Sequence, residues 1–221
     1  MAEKSNVIPI SPEIGRKKAY VARNRASLIR AAQQVFAEIG PTATIEAVAT
    51  EAEVAASTVY KHFGTKEHLL SLAVLEAFST WQEWALPQGA LHSDPLQQLV
   101  IPMRLLVRLK QTHPLYAQLV QSCFTEIPAS TEQLTIAFKD HMLFLIHEKI
   151  LVIDNFEIRN SNFEACLLAL LGKQTSINAM TDEEADTSIE IALGMLGISA
   201  AKAKKLAHSP LDAMLHQGLL G

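Results

Sequence analysis

Ser57, Thr58, Tyr60, Lys61, His62 and Lys66 crowd hydroxyls, a phenol, two ammonium groups and an imidazole into ten residues, within the stretch "ASTVYKHFGTKEHLL". Side chains of this kind donate hydrogen bonds to anionic oxygen, and phosphate is the acceptor that short donors and lysines serve best. At about 100° per residue, Ser57, Thr58, Tyr60 and Lys61 share one arc of a helix, opposite Val59 and Phe63. Two readings compete: a grip on an anionic polymer, or a polar helix face that merely meets water. His62 lies at the edge of the arc and reads equally as an ordinary helix-end histidine.

The elements that must carry these residues are helices. Residues 1–20 read as a flexible arm with two prolines, a glycine and the basic cluster Arg16, Lys17, Lys18. Leu28, Ala32, Val35, Phe36 and Ile39 then recur at helical spacing from about Ala22, until Gly40-Pro41 stops the run. Thr44 caps a short second helix that buries Ile45, Val48, Ala49 and Ala52, and Ala55–His62 forms a third. Gly64 ends it, and Thr65 caps a fourth over 66–86 with apolar stripes on two sides, the pattern of a connector between two bodies. Proline and capping-box signals place further helices near 95–111, 114–124, 131–153, 162–179 and 182–198, with starts at Asp94, His113, Ser130, Ser161 and Thr181 and a possible last turn at Ser209-Pro210. The expected fold is all-α: an N-terminal three-helix helix-turn-helix domain over 21–65, then a helical ligand-binding and dimerisation domain over 66–221.

In a helix-turn-helix unit the second helix of the pair enters the major groove. Ala55, Ala56 and Ser57 are small enough for close approach. Thr58 suits a base or phosphate, while Tyr60, Lys61, His62 and Lys66 suit phosphate oxygens. Thr42 and Thr44 add hydroxyls at a helix N-terminus, which favours anions. The charge distribution agrees. Nine Lys/Arg face six Asp/Glu over residues 1–66, against ten and seventeen in the remainder of a chain whose net charge is −4.

The stretch from Arg25 to Leu70 resembles the DNA-binding domain of the TetR (tetracycline repressor) family of bacterial transcription regulators. The resemblance lies in "LIRAAQQVFAEIG", "TATIEAVATEAEV" and "STVYKHFGTKEHLL", with Thr44, Val48-Ala49, Thr58, Tyr60, Phe63, Lys66 and Glu67 in register. It implies a homodimer on a palindromic operator of double-stranded DNA, released by a small-molecule effector, and it brings His62 into the DNA-contacting set. It also implies dimerisation through the last long helices and an effector pocket under the connector. Two positions depart from the family pattern. Glu53 stands where the turn usually has glycine and Ala55 where the next helix usually has a serine cap, each a loss of about 1 kcal/mol.

In the body, Trp81, Trp84, Met103, Leu106, Tyr116, Phe124, His141, Met142 and Leu145 are of the types that line an apolar effector cavity, and equally of those that fill a core. Phe163, Leu167, Leu170 and Leu171, with Ile189, Leu193 and Leu196, offer more apolar face than one small body needs, which points to a four-helix dimer interface. Burial of both faces within one subunit is the alternative. Enzyme chemistry has no foothold: there is no His-x-Glu or Cys-x-x-Cys pattern, no glycine-rich phosphate loop and no nucleophile elbow, so no metal or cofactor is expected. Cys123 and Cys166 read as buried packing. No apolar run reaches the ~18 residues of a membrane span, and the expected location is the cytoplasm. Repression by occlusion is the simplest mode for such a dimer. The rival reading is an all-α dimeric small-molecule-binding protein that has lost DNA binding.

Overall fold

The computed structural model describes residues 12–125, 131–176 and 178–211, of which 12–20, 131–135 and 137 are described by backbone alone. Every regular element among them is a helix: α1 (Pro12–Ile39), α2 (Ile45–Glu51), α3 (Ala56–Phe63), α4 (Lys66–Ala90), α5 (Pro95–Leu106), α6 (Leu109–Thr112), α7 (Pro114–Ser122), α8 (Thr131–His147), α9 (Phe156–Thr175), α10 (Asp182–Met195) and α11 (Ala200–Ala207).

The head is built on α1 to α3. Leu28, Ala32, Val35 and Phe36 of α1 share a core with Ile45, Val48, Ala49, Val59 and Phe63. Burying a side chain such as Phe36 contributes about 1.5–3 kcal/mol. Two expectations are corrected here. α1 begins at Pro12, a residue suited to a first helical turn, so Arg16, Lys17 and Lys18 lie on helix backbone and not in a flexible arm. Residues 1–11 lie outside the described residues. Ile39, placed on the apolar stripe, is 51% exposed, because the chain turns at Gly40 and α7 seats on Ala37 instead.

α4 joins head to body as its two stripes require, packing against α1, α5, α7 and α8. It runs to Ala90, four residues past the expected end, straight through Pro87. Proline removes one helical hydrogen bond, but the last turn is held by its packing on α5. A Cβ on Gly89 would stand 2.5 Å from the Gln98 carbonyl, so only glycine permits that approach.

The body departs from the expected boundaries for identifiable reasons. The helix expected over 95–111 breaks at Val107–Arg108 into α5 and α6. α8 ends at His147, where Lys149 takes φ 58° and the Ile150 N–H donates to the Leu145 carbonyl, a helix stop made without glycine. α9 begins at Phe156, not near 162. Glu164 is engaged by Asn160 Nδ2 at 2.9 Å, so the capping pattern at Ser161 is a coincidence in the middle of a helix. Thr181 does form its capping box with Glu184, which pulls the Glu184 carboxyl below its ordinary range through bonds from the Thr181 backbone and side chain. Gly197 at φ 77° closes α10 and separates off α11, which lies beyond the last helix expected from the sequence, 182–198. Ser130 and the residues after Leu211 lie outside the described residues.

Candidate nucleic-acid interface and body cavities

The turn between α2 and α3 sets the angle at which α3 is presented. Thr44 Oγ1 accepts from the Ala47 N–H at 3.2 Å and fixes the start of α2. At its end the Val54 N–H donates to the Ala49 carbonyl at 2.9 Å and the Glu53 N–H to the Thr50 carbonyl at 3.1 Å, the paired closure of a Schellman turn. Glu53 sits at φ 53°, the left-handed position where glycine is usual, so the expected strain is present. Ala55 occupies the N-cap of α3 with no side-chain bond to offer. Gly64 at φ 75° turns the chain out of α3, and Thr65 Oγ1 accepts from the His68 N–H to start α4.

This scaffold leaves one polar surface. Thr42, Thr44, Ser57, Tyr60 and Lys61 are exposed, Tyr60 by 48%, while Thr58, His62 and Lys66 are half-buried. Val59 and Phe63 point the other way, into the core. The eight residues therefore gather on α3 and its two flanks. Lys66 has a second attachment, since its Nζ donates to the Pro41 carbonyl at 2.8 Å and ties the start of α4 to the turn after α1. One cation escaped the sequence reading: the Arg25 guanidinium lies 5.5 Å from the Phe63 ring and so stands beside the end of α3. Nothing in local spacing marks it, because it comes from an earlier helix.

The residues expected around an effector fall in different places. Trp81 and Tyr116 line a small, tight cavity with Val74, Phe78, Leu109 and Leu119, with space for about one water, ~10 Å³. His141 lines a separate cleft of about 250 Å³ with Leu86, Leu99, Pro102 and Phe138. Trp84 is half-buried edge-on to His113, at 4.9 Å between ring centres. Met103, Leu106, Met142 and Leu145 line neither and are core. Phe124 covers Gly172, where a Cβ would come within 2.6 Å of its ring. One effector pocket containing the whole set is thus corrected to two sites and a core. Buried polar atoms around them lack partners: Trp81 Nε1, Trp84 Nε1, His113 Nδ1, Gln97 Oε1 and His141 Nε2. An unpartnered buried polar group costs about 1–3 kcal/mol, a cost that a buried water commonly removes.

The expected interface residues are also corrected. Phe163, Leu167, Leu171, Ile189, Leu193 and Leu196 are each at most 5% exposed within the single chain, and Leu170 is half-buried. Periodicity identified an apolar stripe on each helix, but both helices are packed within the chain, α9 against α10, α7 and α6, and α10 against α9, α11 and α5. The outer faces of α9 and α10 instead show Ile158 at 67% and Ile191 at 66%, beside exposed Ala165, Ala169 and Gly194. Of the cysteines, Cys123 is buried with its Sγ 3.6 Å from the Phe36 carbonyl, while Cys166 is half-buried and its thiol pKa is raised by burial.

A buried ionic cluster joins α5, α10 and the segment after α11. Arg104 grips Asp186 through two hydrogen bonds at 3.0 and 2.9 Å and donates to Ser209 O and Oγ at 2.7 and 2.9 Å. Arg108 adds a 2.8 Å contact to the same carboxylate and donates to the Asp182 carbonyl at 3.1 Å. No helix among the described residues is long and apolar enough to cross a membrane.

Comparison with known proteins bears on the head and the whole fold separately. Residues 28–73 match the family of bacterial regulatory proteins described as the tetR family. The structure of RolR in complex with resorcinol aligns with a TM-score of 0.70 at 22% identity, over 88% of this chain and 97% of that one. The fatty acid degradation regulator FadR from Bacillus halodurans aligns at 0.60 and 18% identity, over 79% of this chain and 95% of that one. NalD, the secondary repressor of the MexAB-OprM multidrug efflux pump in Pseudomonas aeruginosa, aligns at 0.59 and 19% identity, over 79% and 96%. At these identities the likeness is one of fold. No curated protein matches the chain.

Proposed function

We propose that this chain, a member of the tetR family of bacterial regulatory proteins, is a homodimeric, cytoplasmic repressor that occupies a two-fold symmetric operator and leaves it when a small molecule enters its body. The observation that carries the reading is the outward face of α3, where exposed Ser57, Tyr60 and Lys61 stand beside the capped start of α2. Small residues lead α3, so Ser57 and Thr58 approach base edges. Thr42, Thr44, Tyr60, Lys61, His62 and Lys66, joined by Arg25, hold phosphates and set register. Neutralising phosphates in this way makes affinity fall steeply with salt.

Two such heads must lie ~34–36 Å apart, or a multiple of it, to meet successive half-sites. We assign the pairing to the outer faces of α9 and α10. Ile158 and Ile191 are large apolar side chains left in water on the single chain, and Ala165, Ala169 and Gly194 let a second helix pair come close. The contact between head and body runs through α4 and through α7, so a shift of either alters the spacing of the heads. RolR binds resorcinol, and a small ring compound is the first effector to try here. Footprinting on the DNA upstream of the coding sequence tests the whole reading. A two-fold symmetric footprint supports it. A folded dimer that protects nothing at low salt excludes it.

A further inference from the structure

α1 is longer than the head needs. Residues 21–27 are all exposed, and the first buried side chain described along the helix is Leu28. The helix nevertheless starts at Pro12, so about 24 Å of it precedes the core at 1.5 Å per residue. We propose that this extension is a second DNA-binding element, which lies along the duplex outside each half-site and holds phosphates of both strands through Arg16, Lys18 and Arg23. The proposal rests on the reading that α3 enters DNA, and it adds a contact that lies outside the helix-turn-helix pair.

Charge identifies the occupant. From Pro12 to Ser27 five Lys/Arg stand against one Asp/Glu, a net +4 in a chain whose net charge is −4. A helical segment of this length without a packed face is marginal in water, and Gly15 inside it costs about 1 kcal/mol more. No side chain of residues 21–27 is buried by the rest of the chain. A polymer of phosphates supplies the missing partner, because each cation that meets a phosphate releases a counterion.

Direction and register agree. Ala37, near the end of α1, is bonded to Ser122 of the body at 2.6 Å, while Arg25 lies 5.5 Å from the Phe63 ring at the end of α3. The extension therefore leaves the head past the end of α3 and away from α7. At about 100° per residue, Lys18 falls on the line of Arg25, and Arg16 and Arg23 fall on the line of Arg30. The two lines are about 160° apart around the helix, with Lys17 between them. Arg23, Arg25 and Arg30 are exposed. Cations on opposite sides of one helix suit a place between two rows of phosphates. The major groove, about 12 Å wide, admits a helix, and the minor groove, about 6 Å wide, does not. The extension thus continues along the major groove beyond α3.

The test compares the full-length protein with the triple variant Arg16→Gln/Lys18→Gln/Arg23→Gln, which keeps a good helix former at each position. Both are titrated over a range of salt with two duplexes of the upstream site. One ends at the last base pair of the symmetric repeat, and the other carries about ten further natural base pairs on each side, one turn of duplex. The wild type is expected to show a steeper salt dependence on the longer duplex. Each phosphate contact contributes about 0.9 to the slope, so on that duplex the variant should lose about 2–3 per bound protomer. On the short duplex the two proteins should bind alike. A wild-type slope that is the same on both duplexes, or a variant that keeps the wild-type slope on the longer one, would overturn the proposal and leave recognition through α3 standing. An equal loss on both duplexes would also overturn it, by placing these cations within the half-site. A wild type whose slope ignores the flanks but which pellets with phosphatidylserine vesicles, where the variant does not, would assign the helix to an anionic membrane surface instead. A folded wild type that binds neither duplex at low salt would remove the regulator reading and this proposal with it.

Discussion

Ser122 Oγ donates a 2.6 Å hydrogen bond to the carbonyl of Ala37, joining the last turn of α7 to the last turn of α1. Cys123 Sγ approaches the neighbouring Phe36 carbonyl at 3.6 Å, so two carbonyls at the end of α1 are served from the body. Carbonyls at a helix end run short of partners within their own helix; that of Phe36 also accepts from the Gly40 N–H at 3.0 Å, while that of Ala37 is served from the body by Ser122. Ser122→Ala is expected to lower unfolding stability by about 1 kcal/mol. Amide exchange should quicken across residues 36–52 and stay unchanged in α10. A uniform change across the chain would mean that the bond does not couple head to body.

The ionic cluster of the body should be far more sensitive than any surface pair. Arg104 and Arg108 have side chains only 3% exposed and share the Asp186 carboxylate. Asp186→Asn removes the carboxylate that two buried guanidinium groups share, leaving Arg108 only the Asp182 carboxylate at 3.9 Å, and is expected to cost about 3–5 kcal/mol in urea unfolding. Glu157, 75% exposed and 3.0 Å from Lys139, is the control. Glu157→Gln should cost no more than about 1 kcal/mol.

Glu53→Gly relieves a left-handed residue at φ 53°. The expected gain is about 1 kcal/mol, reduced by the added freedom of glycine in the unfolded chain. Removal of a negative charge from the head should also tighten DNA binding, most of all at low salt. A variant no more stable than the parent would show that packing of α3 already relaxes the turn.

His113 gives a pH dependence of definite sign. Burial lowers its folded-state pKa below the ordinary 6.5. The unfolded chain therefore binds the proton more readily, and the contribution to stability is full above pH 6.5 and lost as pH falls through the folded value. Unfolding measured at a series of pH values below 6.5 should show a decline that is shallower in His113→Phe. An identical decline in both would place its origin in other groups.

The head was legible in the sequence because its signals are local. Caps, a stripe of apolar residues and two breaks fix three helices within forty residues, and the outward arc of α3 follows from counting around the helix. The body was legible in helix class and less so in detail. Ser161 carries a capping pattern that burial of Asn160 and its bond to Glu164 override. The apolar stripes of α9 and α10 identify a packed face but not its partner, and here that partner is the same chain. Arg104, Arg108 and Asp186 were invisible as a cluster because 82 residues separate the ends of one of its hydrogen bonds. The unpartnered indoles are likewise a property of packing, which no spacing rule reports.

The most direct test is binding of the purified protein to its own upstream DNA over a range of salt, beside the double variant Tyr60→Ala/Lys61→Ala. Both residues are exposed on the outer face of α3 and lie outside the hydrophobic core, so the variant should stay folded. The wild type is expected to bind tightly, with log affinity falling linearly with log salt concentration. The variant should bind weakly at every sequence, with a slope smaller by about 1 for the lost lysine. A folded wild-type dimer with no affinity at low salt, or a variant that binds as the wild type does, would contradict DNA recognition through α3 and favour a small-molecule-binding protein without a grip on DNA.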